Sequence, residues 1–287
     1  MDGASQLNAG VLDGILNGTL TPAYLDKCIR AGFDVNAVTA DRYGLTALHI
    51  AAIHDHPAYI PVLVAAGANV NARTASRSGH TPLHSAVNKR GESLEVIAAL
   101  LAAGADPNLT TLEMGRMPLH HSAARGDVRA VAALLAAGAN TEVVETAPQG
   151  LESSTLGTPL AAAVWCGNPN AVPTLLRGGA KNCIGQFEHQ LQELDRDDSD
   201  DESDDSAGRG FVEDLRRARR AGLRYLRRVA ESGGYRKYER RRRCAVMARV
   251  VRKLPAALLI WVEHVADSFP DPLEERGLFG ARRRLGY

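Results

Sequence analysis

Large aromatic side chains are scarce in this chain: five Phe, seven Tyr and two Trp make up 5% of it. A core of interlocking rings is therefore excluded, and the 45% of hydrophobic residues must pack mainly through aliphatic side chains. Cysteine is sparse as well. Cys28, Cys166, Cys183 and Cys244 stand singly with no C-x-x-C, which speaks against zinc or a disulfide framework and fits a reducing compartment. Long apolar runs are missing; the longest, LPAALLIWV (254–262), is too short to span a bilayer. The opening MDGASQLNAG has no basic region followed by an apolar run, so no secretory signal is expected, and the expected location is intracellular, cytoplasmic or nuclear. No phosphate-cradling glycine loop, nucleophile elbow or H-E-x-x-H occurs, so neither catalysis nor a cofactor is expected.

What the chain has is repetition. The phrase TPLHSAV (81–87) is preceded 35 residues upstream by TALHIAA (46–52) and followed 36 residues downstream by MPLHHSA (117–123), with TPLAAAV (158–164) beyond. A second phrase keeps step: AGFDVNA (31–37), AGANVNA (66–72), AGADPN (103–108), AGANTE (137–142) and GGAKN (178–182). Self-similarity at a period in the thirties signals stacked units that cannot bury their apolar faces alone. Within each unit Thr46, Thr81 and Thr158 suit a helix N-cap, and Pro82, Pro118 and Pro159 suit the first helical position. The second helices, such as LEVIAALLAAG (94–104), end on a glycine suited to a left-handed cap: Gly67, Gly104, Gly138 and Gly179.

TPLH with two small residues, followed by V..LL..GAD.N, resembles the ankyrin repeat over roughly residues 10–182. The resemblance implies an all-α solenoid of helix–turn–helix units with β-turn fingers. It also implies that His49, His84 and His120, one per unit, bridge the turns of adjacent units rather than act as bases. Ala161 stands in their place in the last unit. Residues 1–40 read as a degenerate capping unit, and four fuller units follow at about 41–73, 76–109, 112–142 and 154–182 within a 41–190 array. The connection 143–155 is long enough to protrude as a loop.

Composition changes after residue 183. Residues 190–206 carry nine acidic residues and one Arg, a net of −8, whereas 207–287 carry 21 basic and nine acidic residues, a net of +12. The formal charge of +1 hides this polarity. DRDDSDDESDD is expected to lie in a disordered linker, 191–208, or to serve as a phosphorylatable switch at Ser199, Ser203 and Ser206. Residues 209–287 read as a basic helical module with a tail: an amphipathic helix over 211–231, a break at Gly233-Gly234, and further helical pattern over 235–269. Three readings of this module stand open. It caps the last unit; its arginines, Arg216 to Arg243, bind nucleic acid or acidic lipid; or LPAALLIWV, which resembles the Leu-Pro segment of ubiquitin-ligase adaptor boxes, makes the chain a substrate adaptor.

For the array, the resemblance implies recognition of a protein partner through turn tips and the concave groove. The turn-tip positions are Arg42, Tyr43, Leu45, Arg77, Ser78, His80, Glu113, Met114 and Arg116. The groove-facing ones are Ile53, His54, Asn88, Lys89, Ala124, Arg125, Trp165 and Cys166. Tyr43, Trp165, Arg77 and Arg116 lead because aromatics and Arg dominate interface energetics, although burial under the C-terminal module is an equal reading of Trp165. His54 and His56 in HDHP read as partner contacts, not as a metal site, since a short loop with two His fixes no coordination geometry. A monomer is expected, and the partner is not legible.

Overall fold

The computed structural model describes residues 3–89, 94–145, 157–181, 206–239 and 241–242. Most of the 143–155 connection, the acidic run and the apolar LPAALLIWV segment lie outside these residues. Contacts divide the chain into two compact units, Met1–Leu223 and Arg224–Tyr287. Among the described residues the fold is helical with no strand, only an isolated antiparallel bridge between Val38 and Thr46.

In the first unit helices run in antiparallel pairs: α1 (Gly3–Leu16) and α2 (Pro22–Arg30), α3 (Ala47–His54) and α4 (Tyr59–Ala65), α5 (Pro82–Asn88) and α6 (Leu94–Ala102), α7 (Pro118–Arg125) and α8 (Val128–Ala136), α9 (Pro159–Trp165) and α10 (Val172–Arg177). Odd helices stack on odd, α1 on α3 through α7 on α9, and even on even, so two helical layers form. The starts are chemically encoded. Thr81 and Thr158 hold extended backbone and accept the amides of His84 and Ala161, with Pro at the next position. Each of the last four pairs contributes a fully buried leucine from each helix: Leu48 and Leu63, Leu83 and Leu100, Leu119 and Leu134, Leu160 and Leu175. Burial of one such side chain stabilises by about 1.5–3 kcal/mol. None of these pairs could close a core alone, which is why the stack is obligatory.

Each second helix ends on a glycine at positive φ: Gly67 at 89°, Gly104 at 87°, Gly138 at 86° and Gly179 at 103°. Two of the first helices, α7 and α9, also run into a left-handed glycine, Gly126 at 73° and Gly167 at 72°; in the first full unit that place is held by Asp55 at 63°, whereas α5 ends on Lys89 in extended backbone at φ −65°. Asp55 is the non-glycine residue with positive φ among those described. Its ion pair with Lys89 spans 3.7 Å with both side chains partly exposed, and such pairs contribute little. Asp55→Gly is therefore expected to stabilise by about 0.5–1 kcal/mol, read as a Tm rise of a few degrees in thermal unfolding.

α11 (Ser206–Glu231) follows the array and begins three residues inside the span expected to be linker. Gly233 and Gly234, at φ 76° and 112°, stop it where the sequence places the break.

Candidate partner-binding face

Three ladders of polar contacts stitch the stacked pairs together, and each uses residues that recur once per pair. In the first, the Thr46 amide donates to His49 Nδ1 at 3.3 Å, which places the ring proton on Nε2; that N–H donates to the His80 carbonyl at 3.0 Å. His84 accepts from Thr81 and donates to the Arg116 carbonyl at 2.9 Å, and His120 accepts from Met117 and donates to the Val143 carbonyl at 3.0 Å. Burial away from water holds all three imidazoles neutral, with pKa values pushed down to about 4.

The second ladder was not singled out from the sequence. The last side chain of each GADVN-like phrase reaches the next pair: Asn36 Oδ1 accepts the Asn69 amide at 2.8 Å, Asn71 the Asp106 amide at 3.0 Å, and Asn108 the Asn140 amide at 2.7 Å. Glu142 replaces Asn and still accepts the Lys181 amide at 2.9 Å.

The third ladder runs along the C-terminal ends of the first helices, the groove-facing positions. A helix leaves its last carbonyls without intrahelical partners. Asn88 O accepts from Arg125 Nη1 at 2.5 Å, Ala124 O from Asn168 Nδ2 at 2.6 Å, and Trp165 O from Arg219 Nε at 2.5 Å. Each acceptor lies seven residues beyond Thr81, Met117 or Thr158, so the three carbonyls are equivalent. The third donor comes from α11.

Against these ladders the sequence-predicted residues fall into two groups. Arg125 is committed to a carbonyl, Lys89 to Asp55, and Arg116 to Glu145, whose carboxylate is 3.0 Å away. Glu145 is buried, and that burial raises its pKa while Arg116 opposes the shift. Trp165 lies under the Arg219 guanidinium, 4.3 Å above its ring. Leu45 and Ile53 are half-buried. The second group projects outward: Arg42, Tyr43, His54, Arg77, Asn88 and Glu113 are exposed. Arg42 lies 4.8 Å over the Tyr43 ring and donates to its hydroxyl at 2.6 Å, so the pair is pre-arranged. Two exposed apolar side chains beside the fingers, Leu112 at 66% and Val144 at 55%, extend this face; neither carried a motif that would have marked it.

His80 faces His84 and His121, with ring centroids 5.7–5.9 Å apart. The trio does not read as a metal site, because both His84 nitrogens are already committed to the bridge. Among the described residues no group of three His, Cys, Asp or Glu is placed to hold a metal ion. No described helix is long and apolar enough to cross a membrane.

A family model described as ankyrin repeats, in three copies, matches residues 22–111 and 90–185. The chain belongs to the ankyrin repeat family. The matched span takes in the helices from α2 to α10, so the ladders above, apart from the contact supplied by α11, join ankyrin repeats. No curated protein matches the chain.

Proposed function

We propose that the chain is a non-catalytic scaffold that binds a protein partner through its ankyrin fingers and the groove-facing helix ends. The observation that supports this reading is the division of labour among polar residues. Those that recur once per repeat are spent between repeats, whereas Arg42, Tyr43, Arg77, His54 and Glu113 do not recur and point outward. Tyr43 is 44% exposed with Arg42 stacked on it, the pairing of residue types that concentrates binding energy in interfaces.

The test uses the full chain as bait, treated with nuclease, over a salt series. A discrete protein retained at moderate salt is expected, and Tyr43→Ala is expected to lower its recovery about tenfold, which corresponds to about 1.4 kcal/mol. Recovery unchanged in Tyr43→Ala and in Arg77→Ala would remove the fingers from the recognition face.

A second reading rests on α11. Arg217, Arg220, Arg224 and Arg227 are exposed at steps of three or four residues, with Arg228 beside them, while Gly222, Leu223, Leu226 and Val229 are buried on the opposite face. Such a row suits a polyanion, and it makes binding fall steeply with salt. Loss of all captured material upon nuclease or moderate salt would favour this reading over the scaffold.

A further inference from the structure

Arg219 of α11 reaches the last repeat through two contacts. Its Nε reaches the Trp165 carbonyl at 2.5 Å while its guanidinium carbon lies over the indole, 4.3 Å from the ring centroid. Three residues on, one helical turn, Gly222 brings the backbone against α9: a Cβ built there would meet Val164 at 3.6 Å and Pro169 at 3.9 Å. An added methyl would just fit; anything larger would push the helix away. Leu223 beside it is 7% exposed. These contacts all lie within the first compact unit.

The carbonyl involved is the equivalent of Asn88 O and Ala124 O, which the following repeat satisfies from Arg125 and Asn168. Among the described residues no further helix pair follows the fourth repeat to supply the donor, and without α11 the groove-facing step at Trp165 would present an open carbonyl beside a bare indole. That combination, a planar aromatic face edged by an acceptor, is complementary to a guanidinium. We infer that the groove-facing end of the last repeat is a docking site for an arginine-bearing helix with a small residue one turn on, Arg-x-x-Gly, and that the chain's own α11 occupies it. The consequence is competition. A partner helix engaging Trp165 has to displace a segment tethered to the same chain, so the competition is intramolecular and does not depend on protein concentration. The inference rests on the reading of this face as the recognition surface, but it concerns the opposite end from Tyr43 and fails independently of it.

The experiment titrates a fluorescein-labelled synthetic peptide of residues 206–231 with the full-length chain and follows anisotropy. Wild type, its own helix in place, is expected to bind weakly. Arg219→Ala and Gly222→Phe, which undock α11 by different means, are expected to bind the peptide at least tenfold more tightly. Trp165→Ala, alone or added to either, is expected to abolish binding. Circular dichroism and thermal unfolding establish that each variant keeps its repeats folded. Equal affinity for wild type and both undocking variants, or no binding to either variant, overturns the proposal. A wild-type dimer in light scattering that dissociates in Arg219→Ala overturns the assignment of the occupant, because the helix would then be exchanged with a second copy.

Discussion

Acidification from pH 7 to pH 5 is expected to unfold the ankyrin array. His49, His84 and His120 are 0–1% exposed, each accepts a backbone amide at Nδ1, and their folded pKa values lie near 4 against an ordinary value of 6.5. A histidine whose pKa is depressed by folding takes up its proton more readily in the unfolded chain. Stability is therefore unaffected well above pH 6.5, falls as pH drops through that value, and goes on falling until about pH 4. Each of the three loses about 1 kcal/mol between pH 6.5 and 5.5 and about 1.4 kcal/mol per further unit. Together they remove about 5 kcal/mol by pH 5, comparable with the whole stability of many domains.

Neighbouring groups modify the sum without reversing it. His121, packed against His80 and His84 with its pKa pushed to about 3 by burial and then by those rings, Arg116 and His120, acts in the same direction. Glu145 acts oppositely: burial raises its pKa, so the folded state takes up that proton first and is favoured by acid. Urea unfolding at pH 7, 6, 5.5 and 5 provides the measurement, and a midpoint that stays flat across the series would contradict this account of the imidazoles.

The repeat architecture was legible because its determinants recur in sequence at one spacing: the Thr-Pro start, the histidine and the closing glycine each solve a local backbone problem. The asparagine ladder obeys the same recurrence, yet Asn36, Asn71 and Asn108 end loops, where Asn is expected for turn formation alone. Arg125 and Lys89 were assigned to a partner by their position on the groove-facing ends. Arg125 is drawn onto Asn88 O because a helix C-terminus carries orphan carbonyls and the adjacent repeat is the nearest source of a donor, whereas Lys89 reaches the Asp55 carboxylate. Arg219 is one of 21 basic residues in 207–287, and composition alone does not separate it from the rest. Its signal was placement: it lies on the side of α11 that also carries Gly222, Leu226 and Val229, where a cation with nothing to bind would be costly. What no pattern in one chain encodes is the outward set, Tyr43, Arg77 and Leu112, whose identities are set by complementarity to another molecule.

Replacing His84 by alanine separates the two roles of the buried imidazole. At pH 7 the substitution leaves the Thr81 amide and the Arg116 carbonyl without their buried partner and opens a void beside His80 and His121, a loss of roughly 2–4 kcal/mol. The same substitution removes one of the three groups that make the array acid-sensitive, so the stability of the variant falls less steeply below pH 6.5. The gap between wild type and His84→Ala should therefore narrow by about 1.5–2 kcal/mol between pH 7 and pH 5. Urea unfolding of both proteins at the two pH values reads this directly. A gap that stays constant would mean that His84 keeps its ordinary pKa in the folded chain, and that the bridge from Thr81 to the Arg116 carbonyl does not require the neutral ring.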